Sequence, residues 1–183
     1  MTATYAVVAL AIVIGTWGIA KVVRALRVVR DLRGPRVVTC PETGQSVGVR
    51  VDLGHAAATA LWQHAPGIRL SACSRWAERG RCEERCVGQA ADPTSTPRAI
   101  VVHAVSGMLC AFCGRAVEHV AFLDHYAAFL QPDGRTIEWP QVPPAQLRDT
   151  IAACPPVCWD CHIAETFRRM HPELVTERPW PRG

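Results

Sequence analysis

The stretch CWDCHIAETFRR, residues 158–169, opens with two cysteines and a histidine and then settles into helical periodicity. Cys158-x-x-Cys161-His162 spells a c-type haem attachment site, half of a metal site, or a redox-active dithiol. Each reading demands a different setting. Haem is attached outside the cytoplasm, a metal site needs further ligands, and a thioredoxin-like dithiol needs a βαβ frame. Nothing within the twelve residues chooses, so the choice falls to the rest of the chain.

A second pair stands upstream, Cys110-Ala-Phe-Cys113-Gly114. Two thiolates two residues apart can share one ion from a tight turn, and the glycine gives that turn its left-handed residue. The later pair offers the same bite at a helix start, where the dipole favours anionic sulfur. Cys110, Cys113, Cys158 and Cys161 thus form a four-cysteine set, with 44 residues between the pairs. A knuckle, strands, and a helix opening on the second pair resemble a treble-clef zinc finger over residues 108–172. The resemblance implies a fold and a zinc ion, not an activity. A predicted helix at 145–153 is an insertion that a minimal finger lacks.

Four of the remaining cysteines, Cys40, Cys73, Cys82 and Cys86, are read as a second zinc site, giving two ions per chain. Cys40 lies at a predicted hairpin turn and Cys73 at a strand end, and the four-residue spacing of Cys82 and Cys86 puts them on one face of a helix. His55 or His64 can replace one ligand. Cys154 is left as a small buried residue under the finger. With the last pair it spells Cys-x-x-x-Cys-x-x-Cys, which resembles the radical-SAM cluster motif. Only 22 residues follow, too few for that family's barrel, and Asp160 stands where the family carries an aromatic. Iron–sulfur ligation is the chemical rival, but dispersed ligands suit a structural zinc that staples distant segments.

Compartment separates zinc from haem. Tyr5–Val23 holds one charge, Lys21, and nineteen helical residues reach about 28 Å, the hydrocarbon thickness of a bilayer. Tyr5 and Trp17 lie toward its ends, where aromatic rings favour the interface. The start MTAT has no basic side chain and no A-x-A site follows, so an uncleaved anchor is expected rather than a signal peptide. Lys21, Arg24, Arg27, Arg30, Arg33 and Arg36, opposed only by Asp31, give a local charge of +5, leaving −1 for the rest of a chain whose net charge is +4. Basic residues flanking a span stay cytoplasmic, which places the N-terminus outside and the body in a reducing compartment that favours metal-bound thiolate over haem or disulfide. Arg24, Arg27 and Arg30 are expected to meet headgroup phosphates or an acidic partner. Ala11 and Gly15 make a small-xxx-small face for helix packing.

The fold class expected is α+β: a single transmembrane helix followed by two small zinc-stapled cytoplasmic modules. The divisions are an anchor and juxtamembrane helix (1–33), a first module (34–87), a linker (88–98), a treble-clef-like module (99–174) and a Pro/Trp tail (175–183) holding Trp180, a stiff aromatic suited to an interface. Within them, 36–52 reads as a hairpin, 54–65 as a helix capped by Asp52, 68–73 and 99–105 as strands, QPDGRT as a turn, IEWPQV as a strand, and the stretch from 158 as a helix.

No catalytic role is expected. The sequence has no His-Glu-x-x-His, phosphate loop or nucleophile elbow, and Glu118, His119, Asp124 and His125 share no single face on helix or strand. A body charge of −1 argues against nucleic acid, and no small-molecule substrate is indicated. The expectation is a zinc-binding scaffold subunit that docks onto or braces a larger membrane complex, respiratory or photosynthetic in kind. Its partners are the other subunits and the bilayer. The alternative is an electron-transfer subunit using the same cysteines for iron–sulfur or haem.

Overall fold

The computed structural model describes residues 2–80, 82–117 and 127–174. Trp180 and the quartet Glu118, His119, Asp124 and His125 lie outside the described residues.

A first helix, α1, runs unbroken over Thr2–Leu32 and ends where Gly34, at φ 97°, turns the chain into Pro35. Beyond Gly18 no glycine or proline interrupts it, so the apolar run and the basic turns form one rod. Val7–Leu32 is the one candidate span among the described residues, long and apolar enough to cross a membrane, and its apolar window is wholly unburied. Lys21 folds back one turn over the Trp17 ring, 5.2 Å from its centroid. Ala11 and Gly15 are exposed.

The chain then forms an antiparallel sheet of β1 (Pro35–Thr39), β2 (Ser46–Val51) and β3 (Leu70–Cys73), in that order. Between β2 and β3 lies α2 (Leu53–Trp62), whose N-cap Asp52 accepts the His55 amide at 3.0 Å, as expected. α2 packs along the last turns of α1, and the Arg24 guanidinium donates to the His64 carbonyl. Two short helices follow, α3 (Trp76–Arg79) and α4 (Val87–Ala91). Cys82 is in no helix and Cys86 only precedes α4, so the helical face expected for that pair does not form.

Residues 88–105 depart from expectation. The supposed linker is the end of α4, a 3-10 turn at Pro93–Ser95 and the start of α5 (Pro97–Val105), with Ala90 and Ser95 buried. The supposed strand 99–105 is the body of α5. Asp92-Pro93 and Thr96-Pro97 are each an N-cap followed by proline at the first helical position. Asp92 accepts the Thr94 amide and Thr96 the Ala99 amide. Prolines that looked like breakers are starts, and the caps outweigh the β-branched run that follows.

A second sheet, ordered β5-β4-β6, comprises β4 (Ala128–Leu130), β5 (Thr136–Glu138) and β6 (Pro156–Val157), all antiparallel. β4 and β5 flank the expected turn at 131–135. The predicted strand IEWPQV stops at Glu138, because Pro140 cannot donate to the ladder and Trp139–Gln141 coil into a 3-10 turn. Then come α6 (Leu147–Ala153) and α7 (Trp159–Met170).

Strand alternation makes β1 common to two cores. Val37 packs with Val101, Phe129, Leu147 and Val157, whereas Val38, its neighbour, packs on the opposite face with Val47, Leu32 and Leu70. Gly48 pairs with Val37 across the ladder, and a Cβ there would stand 3.0 Å from the Pro144 ring. Glycine lets the Pro144 turn close onto the sheet. Arg36 departs from the basic juxtamembrane set: it is 1% exposed, its guanidinium donating to the carbonyls of Asp31 and, at 3.4 Å, of Asp92. Burial lowers its pKa against the raising charges of Asp31 and Asp92. It fastens the end of α1 to the turn before α5 and does not face lipid.

Candidate metal centre

The knuckle at Cys110 is closed by its own backbone. The Gly114 amide donates to the Cys110 carbonyl at 3.0 Å, the Cys110 amide to the Arg115 carbonyl at 2.8 Å, and Gly114 sits at φ 67°. A bridge between Leu109 and Ala116 braces the base of the turn. The second pair is brought over by β6, whose Pro156 carbonyl accepts the Ala111 amide at 3.0 Å. Two residues later Cys158 starts α7, and its amide points at the Cys110 sulfur at 3.3 Å. The sequence order therefore becomes a spatial one: knuckle, β4–β5 hairpin, and a helix opening on the other two cysteines.

The Sγ atoms of Cys110, Cys113, Cys158 and Cys161 all lie within 4.8 Å of one another. Cys113 and Cys158 are 3.7 Å apart, sulfur to sulfur. Two thiolates on a tetrahedral ion with Zn–S bonds near 2.3 Å stand about 3.8 Å apart, so the set fits one ion. A cluster would spread the same ligands over several metal atoms separated by bridging sulfide, whereas these separations match those around a single ion. On such an ion the four sulfurs would fill a tetrahedral set.

The electrostatics of the quartet show what a cation would supply. Burial pushes the Cys161 thiol up, and the neighbouring thiols Cys158, Cys113 and Cys110 push it further. Cys158 is raised, chiefly by burial, with Cys110 and Cys113 adding to it. Burial also opposes ionisation of Cys113, but hydrogen bonds from Arg115 and from the Cys161 and Cys110 thiols outweigh it and bring Cys113 down to about 6. Arg115 in turn pairs with Asp160 on α7 at 3.1 Å. Four sulfurs at this distance cannot all be anionic without compensating charge, which a divalent ion supplies.

His162 answers the haem spelling. Its ring is buried, with Nδ1 hydrogen-bonded to Thr136 Oγ1 at 2.7 Å and Nε2 3.4 Å from Glu138 Oε1. The imidazole joins α7 to β5 and is committed away from the sulfurs. Nothing local in the sequence flags Thr136 as its partner. His171, at the far end of α7, packs at a tilt against Phe167 with 5.1 Å between centroids. Cys154 is buried in the same core as the centre, as expected.

Among the described residues no second set of three or more such ligand atoms comes together in this way. Cys40, Cys73, Cys82 and Cys86 nevertheless line one cavity, and neither His55 nor His64 lines it. Of the expected partner-facing residues, Arg27 and Arg30 are exposed, while Arg24 is half-buried against α2. Comparison with protein-family models, curated proteins and solved structures returned no match.

Proposed function

We propose that this chain is a membrane-anchored, zinc-stapled docking subunit. The α1 helix crosses the bilayer with its N-terminus outside, and the body lies in the cytoplasm, docked onto or bracing a larger membrane complex. The observation carrying the structural, non-enzymatic reading is the closed four-thiolate set. A structural zinc is held by four protein ligands, whereas a catalytic one keeps a position open. The order knuckle, hairpin, helix supports a treble-clef module at residues 108–172, enlarged by α6. Exposed apolar side chains along α1 support contact with lipid, and the cluster of arginines at its inner end supports the orientation. Ala11 and Gly15, open along the span, and Trp180 are the contacts this reading assigns to neighbouring subunits.

Element analysis of the full chain, solubilised in mild detergent and purified without added metal, tests the metal. Colourless protein containing zinc is expected. Stoichiometric iron would instead favour the electron-transfer reading, since four thiolates also hold a single iron ion; a haem band would do the same, against the engagement of His162 with Thr136. Affinity capture from native membranes tests the partner. A chain that runs alone in mild detergent would end the scaffold reading while leaving the zinc intact.

A further inference from the structure

The hairpin turn joining β1 to β2 repeats the backbone bonding of the turn that presents Cys110 and Cys113. In the hairpin, the Cys40 amide donates to the Gln45 carbonyl at 2.9 Å and the Gly44 amide to the Cys40 carbonyl at 2.8 Å, with Gly44 at φ 71°. The corresponding bonds at Cys110 are 2.8 and 3.0 Å, with Gly114 at φ 67°. By these bonds Cys40-Pro-Glu-Thr43-Gly44 corresponds position by position to Cys110-Ala-Phe-Cys113-Gly114, with Thr43 in place of the second cysteine. A knuckle of this build presents one sulfur instead of two, and three more must come from elsewhere in the chain.

Three are at hand. Cys73 closes β3 opposite Val49, Cys86 immediately precedes α4, and Cys82 stands four residues before it. With Cys40 they line a single cavity of about 30 Å³, room for a small occupant. Arg75 donates to the Cys40 sulfur at 3.2 Å and to Thr43 Oγ1 at 3.3 Å, as Arg115 serves the first knuckle. Between Cys82 and Cys86, Glu84 holds φ 53°, a left-handed conformation that non-glycine residues rarely adopt. Its carboxylate accepts the Leu70 amide at 3.0 Å, fixing this loop to the strand that ends in Cys73. Such a conformation persists where its surroundings impose it, and it clusters at ligand clamps.

We propose that Cys40, Cys73, Cys82 and Cys86 hold a second divalent metal ion as thiolates, zinc being the ion that suits four dispersed sulfurs. The site extends the proposed zinc reading to other cysteines and stands or falls on them alone. Cys82 is exposed, and binding draws it inward to complete the tetrahedron.

Native mass spectrometry of the full chain in detergent, with zinc as the metal, tests the site. Two ions are expected in the parent chain, one in Cys40→Ser/Cys86→Ser, and one in Cys110→Ser/Cys161→Ser. A single ion lost only with the second variant overturns this proposal and leaves the first centre standing. A chain with no zinc, or with iron, overturns the proposed function itself. Should either variant fail to fold, peptide-resolved alkylation of the zinc-loaded parent chain decides. Cys40, Cys73, Cys82 and Cys86 should resist together and become reactive together on adding a chelator. Cys82 reacting at the rate of a free thiol in the zinc-loaded chain overturns the second ion.

Discussion

Cys161 has no exposed surface and sits against three other sulfurs. A serine there or at Cys113 removes a ligand and leaves the metal set incomplete. Because binding energy at a structural zinc site is folding energy, Cys113→Ser should lose the ion and the cooperative thermal transition of residues 99–174, followed by near-UV circular dichroism. Acid should act on the same site with a definite sign. Cys158 and Cys161, held up, must each release a proton to bind metal, whereas Cys113, brought down to about 6, is already ionised at neutral pH. Apparent zinc affinity, measured by competition with a chelator, should fall as pH is lowered. It should fall more steeply below about 6, where Cys113 also takes a proton; the contribution that its lowered pKa makes to the fold is lost in the same direction. His162→Ala leaves the buried Thr136 hydroxyl without its partner, at a cost of about 1–3 kcal/mol in urea unfolding. The two cysteine pairs were legible because their spacing is itself the chemistry. His162 was not, because its partner Thr136 lies 26 residues away with no local mark.

Among the elements, β1 is the one whose loss would reach furthest, since Val37 and Val38 serve opposite cores. Gly48→Ala on its partner strand forces a Cβ to 3.0 Å from a rigid proline ring. It should destabilise the fold by about 1–3 kcal/mol, against little change for alanine at the exposed Gly88, where nothing lies within 4 Å. Phe129→Ala, in the core beside the metal centre, should cost roughly 3–5 kcal/mol. Chemical denaturation of the detergent-solubilised chain checks both. The hairpin, α2 and its Asp52 cap could be read from turn and cap residues. The stretch 88–105 could not, because Asp-Pro and Thr-Pro start a helix as readily as they break one. Only the contacts of Ala90, Val101 and Val105 decide between the two. The shared wall was equally hidden, since alternation reveals that a strand has two faces but not that both are buried.

For the molecule entire, the proposed topology puts a cytoplasm-only reporter fused after Gly183 in its active compartment. Activity of a periplasm-only reporter at that point would reverse the orientation. The same topology brings the end of α2 to the headgroups: Trp62 is 78% exposed, two residues from the carbonyl that takes Arg24, one turn beyond Lys21. In nanodiscs with lipids brominated near the headgroup, part of the tryptophan emission should be quenched, and Trp62→Phe should remove that part. Trp17, toward the inner end of the proposed span, should account for a second quenched part that Trp17→Phe removes, so the span and the α2 contact are checked separately.

The unbroken passage of α1 into its packing with α2 has a consequence for how this protein would meet other molecules. A domain on a slack tether tumbles and samples every height and tilt within reach. On the proposed topology, a body bolted along the last turns of α1, with Arg36 pinning the join, would keep only lateral drift and spin about the bilayer normal. Its encounters then take place in a plane, with the same face always at the same altitude. A partner rooted in that membrane finds it already aligned and gives up little orientational freedom on contact. A partner arriving from solution gains no such advantage.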